Sequence, residues 1–340
     1  MRKMLNTLYV TTPEAYLSKD GMNVVVSVDK AEHFRIPIVN VEGIVTFGYM
    51  GASPGLMKLC VDNNVSLTFL TPQGRFIARI QGATHGNVML RKRQYSLADD
   101  ENTALHLAKL FITGKVFNAR NVLQRFIRDN GEHEEVAQAT KQLDWIRKSI
   151  ERAEEMDSLR GEEGRAANIY FGVFDHLILH QKSDFVFHGR SRRPPRDETN
   201  AMLSFVYTLL ANDVAAALES VGLDPYVGFM HALRPGRSSL ALDMMEELRP
   251  YLADRLVLSL INRRQVTAKD FIMQGSDSVV MTDGCRKNLI TAWQSRKKET
   301  IEHPYLKEKI PIGLLPYAQA MLLARFLRDD LDDYPVFLMR

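Results

Sequence analysis

The chain has 340 residues, of which 45% are apolar and 25% are charged, and 44 Lys and Arg against 41 Asp and Glu give a formal net charge of +3. This length favours two domains, and the composition excludes collagen-like, coiled-coil and disordered proteins. Two cysteines, Cys60 and Cys285, can form neither a disulfide framework nor a CxxC zinc pair, which favours a reducing, cytoplasmic location. The sequence shows no signal-peptide pattern and no apolar run near the roughly 18 residues of a membrane helix, so we expect no membrane association.

Residues 1–85 are predicted to form a small β-sheet domain. The apolar runs there are short, β-branched and separated by turn signals, and the sequences KDG at 19–21 and PQG at 72–74 predict hairpins. One short helix is expected among the strands, because Ser53 can cap it and Pro54 suits its first position.

The rest of the chain is predicted to be helical. Residues 86–97 are a polar and basic connector, and residues 98–340 contain long segments with apolar residues every three to four positions, beginning with residues 101–130. The predicted fold class is α+β: a small amino-terminal β-sheet domain with one short helix, followed by a larger all-α catalytic domain.

Two patterns that suggest other chemistries fail on inspection. The sequence GASPG at 51–55 matches the nucleophile elbow of hydrolases, but the residue after Ser53 must donate a backbone N–H, which Pro54 lacks. His176 and His180 have the spacing of a zinc-binding pair on a helix, but no HExxH glutamate lies between them. Helix capping by Ser53 and packing of the two histidines at a helix edge are the simpler interpretations.

The segment RGEEGRAANIYF, residues 160–171, places two adjacent glutamates between glycines and ahead of an apolar run. The apolar run is predicted to form a helix, so Glu163 is expected near the beginning of that helix. Taken alone, a glutamate in that position is explained by the helix dipole, an interaction that stabilises by about 0.3–1 kcal/mol.

A second candidate group lies within residues 224–250. His231 precedes an Arg-Pro-Gly loop, and the helix after the loop carries Asp243 and Glu246 on one face beside the predicted core. Glu247 is expected to face solvent. Carboxylates at the edge of a core need hydrogen bonds, a counter-ion or a metal, and one imidazole with two or three carboxylates suits Mg²⁺ or Mn²⁺ better than zinc.

Basic residues cluster on loops of the same region. One cluster alone is most simply a solvated surface, but positive loops beside a carboxylate metal centre are what phosphodiester chemistry requires. The densest cluster lies in a Pro-rich loop and contains Arg190, Arg192, Arg193 and Arg196. We expect these four arginines to line a DNA path.

Four segments together resemble the CRISPR-associated integrase, the larger of the two universal spacer-acquisition proteins. RGEEGRAANIYF is similar to the family segment G-x-E-G-x-x-A-x-x-Y-F, and DPYVGFMHALRPGRSSLALDMMEELRP to its signatures D-P-x-x-G-x-x-H and S-L-A-L-D-x-x-E-x-x-R-P. RPPRDETNAMLSFVYTLL resembles its R-P-P-x-D-x-x-N-A-x-L-S-x-x-Y helix, and IPIVNVEGIVTFGYMGASPGLMKLC its amino-terminal sheet and helix. The length and the Arg-rich loop are similar to the subtype I-C branch.

The resemblance implies roles for individual residues. Glu163, His231 and Glu246 match the metal-binding residues of the family, and Asp243 matches an acidic residue that assists the site. Glu162 stands where many members have an apolar residue. Two further positions match polar residues that would orient DNA, namely Asn200 and Tyr207.

The resemblance also implies a reaction and partners. A DNA 3′-hydroxyl would attack a phosphodiester at the leader–repeat junction in a transesterification that uses Mg²⁺ or Mn²⁺, and His231 could instead pass a proton to the leaving oxygen. The family forms a homodimer through the β domain, and two dimers bind a small ferredoxin-like partner in a heterohexamer. Two alternatives stay open on the sequence: a stand-alone metal-dependent nuclease for branched DNA, and a non-catalytic DNA-binding scaffold.

Overall fold

The amino-terminal region is built on strands, and the computed structural model describes residues 6–80, 82, 88–275 and 278–339 of the chain. The elements of this region are, in chain order, β1 (Thr7–Val10), β2 (Tyr16–Asp20), β3 (Asn23–Val28), β4 (Ala31–Pro37), β5 (Gly43–Phe47), α1 (Pro54–Asp62), β6 (Ser66–Leu70) and β7 (Phe76–Ile80). One sheet has the order β1-β5-β6-β7, and a second sheet is the antiparallel meander β2-β3-β4. β1, β5 and β6 run parallel, with α1 as the crossover between β5 and β6, whereas β7 is antiparallel to β6.

The predicted turns and the predicted cap are confirmed. Asp20 pairs with Asn23 around Gly21, and Gly74 turns the chain between β6 and β7. Both glycines have positive φ, +57° and +85°, which glycine adopts without steric cost. The Ser53 hydroxyl accepts the backbone N–H of Leu56 at 3.2 Å, as expected of a helix cap and not of a nucleophile.

The central strands β5 and β6 of the four-stranded sheet are buried on both faces, whereas the edge strand β7 is largely exposed. Alternate residues of β5 point to different cores: Ile44 packs in the core of the β region, whereas Val45 and Phe47 join the large core of the helices. The Phe47 ring lies 5.7 Å from that of Phe205, and Arg79 pairs with Glu219 at 3.1 Å. The sheet is therefore docked directly on the helical region.

The helical region follows residue 88. Its elements are α2 (Val88–Asp99), α3 (Glu101–Asn130), α4 (Glu134–Glu151), α5 (Met156–Gly172), α6 (Glu198–Val221), α7 (Ser239–Met245), α8 (Arg255–Asn262), β8 (Phe271–Gln274), β9 (Ser278–Met281), α9 (Asp283–Lys298), β10 (Thr300–Glu302), β11 (Lys309–Pro311) and α10 (Leu315–Leu327). A β-sheet region followed by a mostly helical one confirms the predicted α+β class. The second region is nevertheless not all-α, because β8–β9 and β10–β11 form small antiparallel hairpins.

The predicted connector is partly helical. α2 covers most of residues 86–97, and the predicted boundary between residues 85 and 86 lies outside the described residues. Among the described residues, α6 alone is long and apolar enough to cross a membrane by length and composition. Of its apolar window, 61% is buried against the other helices, which is the pattern of a core helix.

The segment that carries the acidic candidates is not one continuous helix. α7 ends at Met245, a turn follows, and the π-helical segment Pro250–Asp254 leads into α8. Pro250 has no N–H to donate to the carbonyl of Glu246, so the regular ladder is interrupted at that point. π-helical turns recur at functional sites, and this one follows a predicted metal ligand.

Candidate active site

Glu163 lies in the middle of α5, and the prediction that it lies near the beginning of a helix is wrong. α5 begins at Met156, about two turns earlier, because Gly161 and Gly164 are accommodated within the helix instead of ending it. The Glu163 carboxylate contacts Nζ of Lys115, which comes from α3. Glu162 points elsewhere.

The Glu246 carboxylate contacts the same lysine. Its carboxylate is only 3% exposed, with Lys115 Nζ 2.9 Å from Oε2 and Arg249 Nη1 3.0 Å from Oε1. Burial alone would raise the pKa of Glu246, but the positive charges of Arg249 and Lys115 outweigh it and lower the pKa to about 2. Glu246 is therefore ionised at neutral pH, and Lys115 joins it to Glu163.

Asp243 holds His231 in one orientation. Asp243 Oδ1 lies 2.5 Å from His231 Nδ1 and accepts the backbone N–H of His231 at 3.0 Å. Asp243 Oδ2 accepts the backbone N–H groups of Phe229 at 2.7 Å and Met230 at 3.0 Å. Because a carboxylate only accepts hydrogen bonds, the proton of the neutral ring resides on Nδ1, and the Nε2 lone pair is left for a ligand.

Gly228 is required by this arrangement. A Cβ at Gly228 would lie 2.5 Å from Asp243 Oδ2 and 2.7 Å from the backbone carbon of Ser239. Real Cβ atoms do not approach backbone so closely, so only glycine allows the loop to wrap around the Asp243 carboxylate.

The predicted residues thus meet in two pairs. Lys115 bridges Glu163 and Glu246, and Asp243 orients His231. Within the described ranges, no group of three His, Cys, Asp or Glu side chains converges closely enough to hold one metal ion.

The prediction that Glu247 faces solvent is wrong. Its carboxylate is fully buried and accepts the Tyr334 hydroxyl at 2.5 Å, the backbone N–H of Phe337 at 2.5 Å and Gln319 Nε2 at 3.1 Å. Burial raises the pKa of Glu247 to about 7, although these hydrogen bonds oppose the rise. The break after α7 therefore directs neighbouring glutamates to opposite sides, one to the site and one to the chain near its carboxyl end.

That carboxyl-end segment also binds α3. Asn118 donates to the carbonyls of Glu247 at 2.6 Å and Phe337 at 2.9 Å, and accepts the Met339 N–H at 2.7 Å. Asn118 follows Lys115 by one turn of α3. Residues 334–339 are therefore hydrogen-bonded both to the helix that carries Lys115 and to the residue that follows Glu246.

The predicted DNA-binding residues divide into buried and exposed groups. Arg190 donates to Asn200 Oδ1 at 2.6 Å, and its guanidinium lies over the Tyr207 ring, 5.2 Å from the centroid. The Tyr207 hydroxyl donates to Asp254 at 2.6 Å. The Asn200 side chain is fully buried, which argues against its predicted direct contact with DNA.

The other three arginines of the loop, Arg192, Arg193 and Arg196, are at least partly exposed. Arg192 lines a small cleft of about 30 Å³ together with Lys115, Arg249, Tyr170 and Tyr207. The cleft therefore joins the Arg-rich loop to the bridged carboxylates.

Several residues near the site escaped the sequence analysis. Lys115 and Arg249 neutralise the carboxylates, and a lysine close to the apolar face of α3 was the signal for the first of them. Burial, together with Arg234, Arg160 and Arg193, lowers the pKa of Arg237, which marks a second cationic cluster beside Asp243.

The chain is similar to known proteins over most of its length. The family described as CRISPR associated protein Cas1 matches residues 8–295, most of the chain. The chain belongs to the Cas1 family. A CRISPR-associated endonuclease Cas1 of Chlorobaculum tepidum is 50% identical over 343 residues, covering 100% of each chain. Another, from Rhodospirillum rubrum, is 51% identical over 342 residues, covering 98% of each.

Solved structures share the Cas1 fold. A casposase bound to integration product matches with a TM-score of 0.84 and 21% identity, covering 98% of this chain and 95% of the other. A Cas1 protein from Thermotoga maritima matches with a TM-score of 0.82 and 21% identity, covering 95% and 97%. The resemblance inferred from sequence is thus confirmed as membership of the Cas1 endonuclease and integrase family.

Proposed function

We propose that this Cas1 protein is a metal-dependent DNA integrase that inserts new spacers into a CRISPR array. In the reaction a DNA 3′-hydroxyl attacks a phosphodiester at the leader–repeat junction, so one P–O bond forms as another breaks. The observation that carries the proposal is the pair of carboxylates, Glu163 and Glu246, held around one cation beside an imidazole oriented by Asp243.

The donor types suit a divalent metal ion, although the described side chains do not converge on one point while Lys115 lies between the two glutamates. Glu163 and Glu246 already hold a positive charge between them in the form of the Lys115 ammonium, and His231 presents a free Nε2. Two carboxylates and one imidazole suit Mg²⁺ or Mn²⁺, and Glu163, His231 and Glu246 would hold the ion. When bound, such an ion polarises the phosphodiester and lowers the pKa of the attacking hydroxyl.

The protein groups supply the rest of the chemistry. Glu246 stays ionised through its contacts with Arg249 and Lys115, and Asp243 keeps the ring of His231 oriented. The positive charges of Arg192, Arg193 and Arg196 would neutralise DNA phosphates along the path to the site. Arg190, Asn200 and Tyr207 would position the loop from beneath.

The proposal includes an assembly. Structures with this fold include a Cas6-RT-Cas1–Cas2 complex and a casposase bound to integration product, which supports DNA and a second CRISPR-associated protein as partners. We propose a homodimer formed through residues 1–85 and a heterohexamer with a small ferredoxin-like protein. Exposed apolar side chains of the β region, among them Phe34 and Tyr49, are available for such contacts. We further place the protein in subtype I-C and in the cytoplasm.

Strand transfer on supercoiled DNA that carries the cognate repeat tests the function. We expect joined products that need the small partner and Mn²⁺ or Mg²⁺, and that disappear with Glu163→Ala or His231→Ala while DNA binding persists. Cleavage of branched DNA without any joined product would favour the stand-alone nuclease. Full integration by both variants would overturn the site.

A further inference from the structure

A large aromatic side chain lies exposed on α4, outside the site described above. Trp145 is 57% exposed, whereas Trp293, the other tryptophan of the chain, is 1% exposed. The Arg165 guanidinium lies over the Trp145 ring, 5.0 Å from its centroid. One face of the indole is thus covered by a cation, and the exposure of the side chain leaves the other face to solvent.

Neighbouring side chains hold the indole in place. Arg165 Nη1 donates to both oxygens of Glu162, at 3.0 and 3.2 Å, and Glu162 accepts the Ser149 hydroxyl at 3.0 Å. Ser149 lies one turn beyond Trp145 on α4. The ring therefore rests on a guanidinium that is held by two helices. Because the Trp145 side chain is already ordered, a ligand that stacks on it pays little entropic cost for ordering it.

The surroundings of the indole are positively charged. Lys141 and Lys148 lie four residues before and three residues after Trp145, on the same face of α4, and both are exposed. Lys148 approaches Asp144 only to 3.6 Å, and within the described ranges Lys141 forms no ion pair. An aromatic face surrounded by cations matches a nucleobase flanked by phosphates better than it matches an apolar protein surface.

The Trp145 ring and the Glu163 carboxylate lie on different sides of α5. Glu163 and Arg165 are two positions apart on α5, so their side chains lie about 200° apart around a helix with a diameter of roughly 10 Å. The path around half of that circumference is roughly 16 Å, which corresponds to about five nucleotide steps of 3.4 Å. The helix surface between them is open at Gly161 and Gly164, where nothing lies within 4 Å of a Cβ position.

We propose that an unpaired nucleobase of the DNA strand held at Glu163 stacks on the free face of Trp145. The inference rests on the proposed function for the source of the strand, and it adds a contact for single-stranded DNA beside the arginine loop. Trp145 would position the strand by binding it and would take no part in the bond exchange.

Fluorescence tests the contact directly, because Trp145 is the exposed one of two tryptophans. The metal-free protein is titrated with a duplex that has an unpaired 3′ extension and with a blunt duplex of equal length. The extended duplex is expected to quench the acrylamide-accessible emission and to shield it from acrylamide, and the blunt duplex is not. Emission that stays equally accessible with both would overturn the proposal.

Binding by variants gives a second readout. Trp145→Ala is expected to weaken binding of the extended duplex by about 5- to 150-fold, the contribution of one stacked base, and to leave the blunt duplex unchanged. Trp145→Phe keeps an aromatic face and should retain most of the affinity, which also covers misfolding of the alanine variant. Tyr305→Ala, at another exposed aromatic residue, is the matched control and should change neither.

Equal affinity of Trp145→Ala and the parent for the extended duplex, or a decrease seen only in assembly with the small partner, would contradict the contact. These measurements need neither metal nor strand transfer. A failure of the integrase function would appear instead as the absence of joined products from the parent protein.

Discussion

His231 Nδ1 lies 2.5 Å from Asp243 Oδ1, and the same carboxylate ties down the backbone that carries the histidine. Asp243→Asn replaces one accepting oxygen by a donor. We expect the affinity for Mn²⁺ to fall by about 10- to 100-fold and strand transfer to fall with it. Metal-free DNA binding should persist. Manganese titration followed by electron paramagnetic resonance measures the affinity.

Asp175→Asn is the matched control, since Asp175 also accepts a backbone N–H, from Phe187 at 2.9 Å, but lies apart from the site. Unchanged Mn²⁺ affinity in Asp243→Asn would show that the ring of His231 does not serve the metal.

Lys115 is an internal cation between two carboxylates, and its removal is expected to have opposite effects with and without metal. Lys115→Met leaves Glu163 and Glu246 facing each other, and breaking a buried pair in this way costs about 3–5 kcal/mol. Thermal unfolding should therefore occur at a lower temperature in chelator. Added Mn²⁺ should raise the unfolding temperature more than it does for the parent, because the ion no longer competes with the ammonium.

Lys58→Met provides the comparison, because Lys58 pairs with Asp62 on the surface, where an ion pair contributes about 0–1 kcal/mol. Equal Mn²⁺ shifts for Lys115→Met and the parent would be inconsistent with a metal ion that displaces Lys115.

The buried Asp254 makes stability depend on pH. Burial raises the pKa of Asp254 to about 6 from 3.8, although the hydrogen bond from the Tyr207 hydroxyl opposes the rise. Between these values the folded state retains a proton that the unfolded state releases, so stability falls as pH rises through that window. Asp254→Asn should remove this decrease, which is of the order of 1–3 kcal/mol.

Urea unfolding from about pH 4 to about pH 7 measures this difference, with the exposed Asp62→Asn as control. The advantage of Asp254→Asn over the parent should grow with pH across the window and then level off. A constant difference would mean that Asp254 titrates alike in both states.

The solvent-accessible arginines of the loop should govern the salt dependence of DNA binding. Replacing Arg192, Arg193 and Arg196 by Ala is expected to flatten the slope of log K against log salt by up to about 0.9 for each phosphate that is no longer neutralised. A triple variant of exposed cations elsewhere, Lys58, Arg128 and Lys182, removes the same charge. Equal slopes in the two triple variants would place the DNA elsewhere.

Glycines near the site should differ sharply in their tolerance of alanine. Gly228→Ala drives a methyl group against Asp243 and the backbone of Ser239, so we expect lower thermal stability and lower strand transfer. Gly161→Ala meets open space within α5 and should stabilise by about 0.5–1 kcal/mol. Similar unfolding temperatures for the two variants would contradict the close approach at Gly228.

Individual helices and strands are predictable from the sequence, whereas the contacts between them are much less so. The helix predicted over residues 101–130 is observed as Glu101–Asn130, because its apolar period and its caps are local signals. Two glycines beside Glu163 predict a helix boundary, but the packing of Leu159 and Ala166 carries α5 through them. Propensity is a weak prior that tertiary contacts override.

The sequence also does not predict which charged side chains are buried. Glu247 has hydrogen-bond donors about 70 to 90 positions further along the chain, and Lys115 meets Glu246 only because α3 packs against the turn after α7. Such pairings depend on three-dimensional closure, which residue spacing does not encode. The family resemblance predicts the metal ligands, whereas only the structure shows the lysine between the two carboxylates.

The contacts between Glu247 and residues 334–339 have a consequence for how the enzyme is made. Glu163, His231 and Glu246 all leave the ribosome well before Tyr334 and Phe337, the partners that satisfy the neighbouring buried carboxylate. A nascent chain that already bears every acidic and imidazole group of the site still lacks the segment that braces it. The candidate site therefore gains this bracing only after residues 334–339 have been synthesised.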